Sequence, residues 1–238
     1  MRYGLAELEE RYARLAAAGG AVDFKGESFD DFDLRPFLEE ALPTLRIAVA
    51  QPLAMEYGTG TGPGACFLAA RGFRVDAIDI SPTAIQLARR FAAERGLEIA
   101  FEVGDICERS GPARRYDLVV DSFCLQRIVS TERRSQALSA VRSIVKANGY
   151  FLIGTVLFRE GRDFGEDHFD PQTGVRYRRL DGVAERFEDA VRIRQAWYAP
   201  ICRYVRADEL RSEPEAAGFE VVRQLGGRAV CVPRGRAV

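Results

Sequence analysis

The stretch Ala54-Met55-Glu56-Tyr57-Gly58-Thr59-Gly60-Thr61-Gly62 is the part of this 238-residue chain best suited to hold a ligand. Glycines at alternate positions, after an apolar run and before a helical one, let the backbone bend tightly and approach a bound molecule. Amides at the start of the following helix then face that molecule. Residues 60–65 also fit the dinucleotide pattern G-x-G-x-x-G/A, so the loop alone points to an adenosine-type cofactor without saying which. Asp79 ends the next apolar run and can accept both hydroxyls of a ribose in either cofactor class. Asp105, after a third run, could meet the amino group of adenine, with Ile80 and Ile106 covering the two faces of the base. Glu56 tips the balance. A carboxylate beside this turn would repel a pyrophosphate but favour a sulfonium or ammonium group.

His168 is the only histidine and sits in Glu166-Asp167-His168-Phe169-Asp170. It is the candidate general base for an acceptor that must lose a proton. The cluster Arg176-Tyr177-Arg178-Arg179 has the look of a phosphate-binding patch, but Glu166, Asp167, Asp170, Asp181 and Glu185 surround it and the whole chain carries a net charge of −1. A solvated, salt-bridged surface follows, and no nucleic-acid partner is expected. The five cysteines are scattered without a Cys-x-x-Cys pair, which fits free thiols in a reducing cytoplasm and no metal site. The first ten residues turn acidic where a signal peptide is apolar, and no long apolar run exists, so neither export nor a membrane partner is expected.

The elements that must position these residues follow from periodicity. Leu5, Leu8, Tyr12 and Leu15 recur at helical spacing, and a second helix is predicted near 34–45. Strands are predicted at 52–57, 74–80, 99–103, 116–121 and 150–158, with helices at 64–71, 82–95 and 131–145 between them. Such alternation means a parallel sheet with helices on both faces. Residues 159–198 are charged and show no strong period. A helix at 207–217 and strands at 219–225 and 229–233 follow, the last two joined so closely that they must form a hairpin. The organisation expected is one domain: a helical cap at 1–50, a cofactor-binding core at 51–158, a substrate-covering insertion at 159–200, and a final helix and hairpin at 201–238.

In this order and spacing the segments resemble the class I S-adenosylmethionine-dependent methyltransferases of small-molecule type. The matching residues are Glu56-x-Gly58-x-Gly60-x-Gly62, Asp79, Gly104-Asp105-Ile106 and the run Tyr116-Asp117-Leu118-Val119-Val120-Asp121. Residues 145–151 are similar to the family's turn before its fifth strand, with Ala-Asn for the commoner Pro-Gly. The resemblance implies a Rossmann-like α/β fold whose mostly parallel seven-stranded sheet ends in an antiparallel hairpin. It implies S-adenosylmethionine as cofactor and direct in-line methyl transfer to a small-molecule acceptor, releasing S-adenosylhomocysteine. By the same resemblance Gly58 and Gly60 approach the methionine portion, Asp79 holds the ribose, Asp105 and Ile106 contact adenine, and Asp121 and Ser122 lie near the transferable methyl. Glu56, Tyr57, Gly62 and Ile80 are grouped with these as cofactor-binding. Phe123, Gln126, Tyr198 and Arg203 are substrate-binding candidates, and Phe24, Phe29, Trp197 and Tyr204 further lining. Gln126 stands where several small-molecule methyltransferases carry His, which weakens a base at that position. Two other readings stay open: a methyltransferase acting on RNA or protein, and an NAD-type oxidoreductase.

Overall fold

In the computed structural model, residues 2–19, 28–109, 116–182 and 184–235 are described. Phe24 lies outside them. Strands β1 (Leu53–Tyr57), β2 (Arg74–Asp79), β3 (Ile99–Val103), β4 (Tyr116–Ser122), β5 (Val145–Gly154), β10 (Phe219–Leu225) and β11 (Arg228–Pro233) form one sheet in the order β10-β11-β5-β4-β1-β2-β3. β1 pairs in parallel with β2 and β4, β2 with β3, and β4 with β5, whereas β11 runs antiparallel to both β5 and β10. The chain winds outward from β1 through β2 to β3, then returns to start again at β4. That reversal opens a crevice beyond the carboxyl ends of β1 and β4, the usual ligand position in such sheets. The Rossmann-like reading with a terminal antiparallel hairpin holds.

Two apolar layers explain why these sequences are strands. On one face, Leu118, Val120, Leu152 and Val230 pack with α1 (Tyr3–Ala17), α2 (Arg35–Ala41), α3 (Pro63–Ala69) and α4 (Pro82–Glu94). On the other, Met55, Val119, Phe151 and Ile153 pack with α5 (Thr131–Ile144) and α6 (Ala207–Ala216). Alternate residues of β4 and β5 thus serve opposite layers, and both layers are buried, so the strands read as continuous apolar runs. Ser81 caps α4, its Oγ accepting from Ala84 N at 3.0 Å, and Ser130 caps α5, accepting from Arg133 N at 3.3 Å. Among the described residues no helix is long and apolar enough to cross a membrane, and no His/Cys/Asp/Glu group could hold a metal ion.

The structure departs from the sequence expectation in two places. β5 starts at Val145, five residues early, because Val145 pairs with Tyr116 across an irregularity in the β4–β5 register. It ends at Gly154 instead of continuing to 158, since Thr155 turns away to donate its amide to Gly227 O at 2.8 Å. The second departure is larger. The region without strong period holds a four-stranded antiparallel sheet, β6-β7-β9-β8, built from β6 (His168–Asp170), β7 (Val175–Leu180), β8 (Val191–Ile193) and β9 (Ala196–Arg203). In β7, arginines stand where alternation calls for apolar residues, and their guanidinium groups are satisfied by acids: Arg176 and Arg178 both pair with Asp167, at 2.5 and 3.2 Å. Long arginine stems cover surface as apolar side chains do, which hides the period.

Candidate functional site

A cleft of about 1280 Å3 opens at the crevice between β1 and β4. Its floor is the glycine turn. Gly58 and Gly60 have φ of 66° and 56°, in the left-handed region. A Cβ on Gly58 would stand 2.3 Å from the Cys124 Cβ, so the backbone of this turn and the loop after β4 touch only because there is no side chain. Thr59 Oγ donates to Glu56 Oε2 at 2.5 Å, and Thr59 N donates to Ile78 O at 3.1 Å, fixing the turn from behind.

Asp79 is the junction of the site. Its Oδ2 accepts from Gly60 N at 2.8 Å and its Oδ1 from Ser81 N at 2.9 Å, so one carboxylate joins the glycine loop to the start of α4. The side chain also lines the cleft. Further along, Asp105 Oδ1 accepts from Cys107 N at 2.8 Å while Oδ2 meets Arg133 Nη2 in a short ion pair. Ile80, Val103 and Ile106 line the wall beside it. Ile80 and Val103 are 39% and 46% exposed, apolar surface that a flat base would cover. An adenosine fits this donor and acceptor set: carboxylate acceptors for hydroxyls and an uncovered apolar strip for a ring.

Tyr57, Gly58, Gly60, Asp79, Ile80, Asp105, Ile106, Ser122, Phe123 and Gln126 come together on the cleft wall, and Phe29 joins them. Other candidates stand elsewhere. Gly62 is the N-cap residue of α3, behind the turn. Glu56 is fully buried behind the glycine turn and does not line the cleft, so its contribution is to hold Thr59, not to face a bound cation. Asp121 is also fully buried; its Oδ1 accepts from the amides of Cys124 and Leu125 at 2.8 and 3.1 Å and shapes the loop after β4. Arg203 turns away to Thr131 Oγ at 3.0 Å and to Glu209 and Glu213. His168 and Tyr198 lie on the small sheet with ring centroids 6.0 Å apart, and neither they nor Trp197 and Tyr204 line the cleft. His168 is thus not brought to the reacting region as a base. Being the only one of its kind drew attention to it, whereas its strand carries it elsewhere.

Sequence reasoning missed Tyr12 and Arg133. Tyr12 is 5% exposed and its hydroxyl lies 3.0 Å from where a Gly60 Cβ would be, so α1 covers the turn. Two contacts pin α1 there: Glu7 to Arg127 and Glu9 to Thr83, each at 2.7 Å. Arg133 was discoverable, since a Ser130 N-cap sets it in the first turn of a helix that begins near the Asp105 loop.

Burial pushes the Glu56 and Asp121 carboxyls up to about 7; hydrogen bonds from Thr59 to the first and from the Leu125 and Cys124 amides to the second oppose the shift. The Cys124 thiol is driven well above its ordinary value by burial and then by Asp121, so it is a packed thiol. A carboxyl raised on folding leaves the native state holding more protons than the unfolded chain, so stability falls as pH rises through the window from about 4.5 to about 7. Glu56→Gln is therefore expected to gain thermal stability relative to the parent on going from about pH 5 to about pH 8. A melting difference that is flat with pH, measured by circular dichroism, contradicts this.

Residues 54–149 match the family model of a methyltransferase domain, about two fifths of the chain. The chain is 34% identical over 100 residues to a 2-heptyl-1-hydroxyquinolin-4(1H)-one methyltransferase of Mycobacteroides abscessus, covering 42% of this chain and 44% of that one. It is 28% identical over 159 residues to ajmaline N-methyltransferase of Rauvolfia serpentina, covering 63% and 48%. It thus spans less than half the length of these two relatives. In fold it is similar to the CcbJ methyltransferase of Streptomyces caelestis, with a TM-score of 0.68 at 17% identity over 96% of this chain and 98% of that one. It is also similar to the 1,6-didemethyltoxoflavin-N1-methyltransferase of Burkholderia thailandensis, solved with its namesake and S-adenosylhomocysteine, with a TM-score of 0.60 at 18% identity over 96% and 88%. The matched core is that of a methyltransferase domain, and the fold across the rest of the chain is similar to that of solved methyltransferases.

Proposed function

We propose that the protein transfers a methyl group from S-adenosylmethionine to a small-molecule acceptor. One observation carries the reading: the glycine turn, Asp79 and the Asp105 wall share a single cleft with an apolar wall of Leu5, Phe32, Phe123, Val156 and Ile201. The first set suits an adenosine and the second an uncharged organic acceptor. The relatives named for a hydroxyquinolone and for ajmaline support a small molecule in the second place.

The cofactor supplies an electrophilic methyl carbon: the acceptor's lone pair forms the new bond while the carbon–sulfur pair returns to sulfur. The chain's own residues bind and orient. Asp79 holds the ribose from the cleft wall, the Asp105–Arg133 pair and Ile80 meet adenine, and Gly58, Gly60 and Ser122 accommodate the amino-acid end. Tyr12 and α1 exclude water. No histidine lines the cleft, so positioning carries the acceleration, worth up to about 7–11 kcal/mol in well-oriented systems.

Calorimetric titration with S-adenosylmethionine, S-adenosylhomocysteine and NAD tests the reading. The first two are expected to bind one per chain and NAD not at all. NAD binding tighter than either overturns it. A metabolite screen read by S-adenosylhomocysteine release then identifies the acceptor.

A further inference from the structure

Phe123 has a φ of 61° and lines the cleft. A bulky residue in the left-handed region is an outlier that persists only where its surroundings enforce it, and such outliers gather at functional positions. Three restraints enforce this one. Phe123 N donates to Gly154 O at 3.0 Å. The next two amides, of Cys124 and Leu125, are held by the buried Asp121 carboxylate. The Arg228 guanidinium lies 4.5 Å from the centre of the Phe123 ring, fixed by its own bond to Thr155 O at 2.9 Å. Arg228 is not on the cleft wall, so the cation stands behind the ring and the ring faces inward. Its neighbour Cys124 abuts Gly58, which sets the ring beside the glycine turn.

The backbone itself calls for glycine at 123, which would take the same φ freely. The aromatic ring is what the strain maintains. A cation on one face of a ring draws its π density toward that side and leaves the cleft face better matched to an electron-rich partner. We propose that Phe123 is the platform for the acceptor, and that the acceptor is a flat, electron-rich aromatic such as a hydroxyarene. This rests on the methyltransferase reading and adds the substrate class and the residue that selects it.

The test uses β-naphthol and its saturated counterpart β-decalol, titrated calorimetrically into the protein loaded with S-adenosylhomocysteine. The parent is expected to prefer naphthol by at least about tenfold, an edge the size of an aromatic pairing term. Phe123→Gly should lose that preference, bind S-adenosylhomocysteine within about threefold of the parent, and melt no lower, because the strain is relieved. Phe123→Leu, which keeps apolar bulk without a π face, should also lose the preference, and Phe123→Trp should keep it. Equal binding of the two probes by the parent, or of neither, overturns the proposal, as does a preference that survives in Phe123→Leu. A Phe123→Gly protein that melts several degrees lower while Phe123→Leu keeps the preference makes the ring a packing element only. Failure of S-adenosylhomocysteine to bind the parent overturns the methyltransferase reading first, and the platform with it.

Discussion

Asp79→Ala is expected to weaken S-adenosylmethionine binding by about 100-fold. Hydrogen bonds to a charged acceptor contribute about 1.5–3 kcal/mol each, and the proposed ribose contact has two, so a net loss near 3 kcal/mol is a conservative sum. The same carboxylate also receives Gly60 N and Ser81 N, so its removal frees the glycine loop as well as the ligand. Asp79→Asn separates the two effects. The amide keeps an oxygen for one backbone donor but loses the charge, and its binding should fall between the parent and the alanine variant. Calorimetry reads both, and an Asp79→Ala protein that binds within about threefold of the parent removes Asp79 from the cofactor site.

Arg134→Ala is expected to be the most destabilising single change outside the apolar layers. The Arg134 side chain is 4% exposed and pairs with Glu213, its Nε meeting the two carboxylate oxygens at 3.0 and 3.2 Å. It also donates to the carbonyls of Leu125 and Ile128, the second at 3.2 Å, which fixes the loop that carries Gln126 and Arg127 on the cleft wall. Removing Arg134 leaves a partly buried Glu213 with only the longer Arg203 contact at 3.7 Å and takes a donor from two carbonyls, a loss of about 3 kcal/mol. In a chain of this size each kcal/mol moves the melting temperature by about 2–4 °C, so a fall of about 10 °C is expected. Arg134→Met combined with Glu213→Leu should recover part of the loss, because Arg203 keeps Glu209 at 3.6 Å while the two carbonyls still lack their donor. A shift under about 3 °C for Arg134→Ala would show that the network contributes little.

The core of this fold was legible because each layer leaves its own period. Apolar runs with glycine or aspartate at their ends gave β1 to β4 within about a residue, and the short link between residues 225 and 228 left only a hairpin. Positions fixed by backbone geometry, such as Gly58 and Asp79, were readable for the same reason: residue type and strand end coincide. Side-chain direction was not readable. Glu56 and Asp121 occupy strand ends as Asp79 does, yet the pleat turns both away from the cleft, and only packing decides this. The small sheet escaped because arginine stems with acidic partners replaced apolar alternation. Arg133 and Tyr12 reach the site from separate helices, and sequence distance says nothing about such encounters.

The small sheet enters and leaves the main fold at one place. Leu157 bridges Val205, and Phe158 N donates to Val205 O at 2.9 Å, so some fifty residues of chain are closed at the base like a purse string. Only Pro200 and Ile201 of β9, with Arg162, Glu188 and Asp189 from the connecting turns, reach the cleft from beyond that closure. Beyond that closure the small sheet touches the main fold through side chains, such as Arg203 to Thr131. The same chain can keep a family match confined to residues 54–149 while its shape follows CcbJ across 96% of its length.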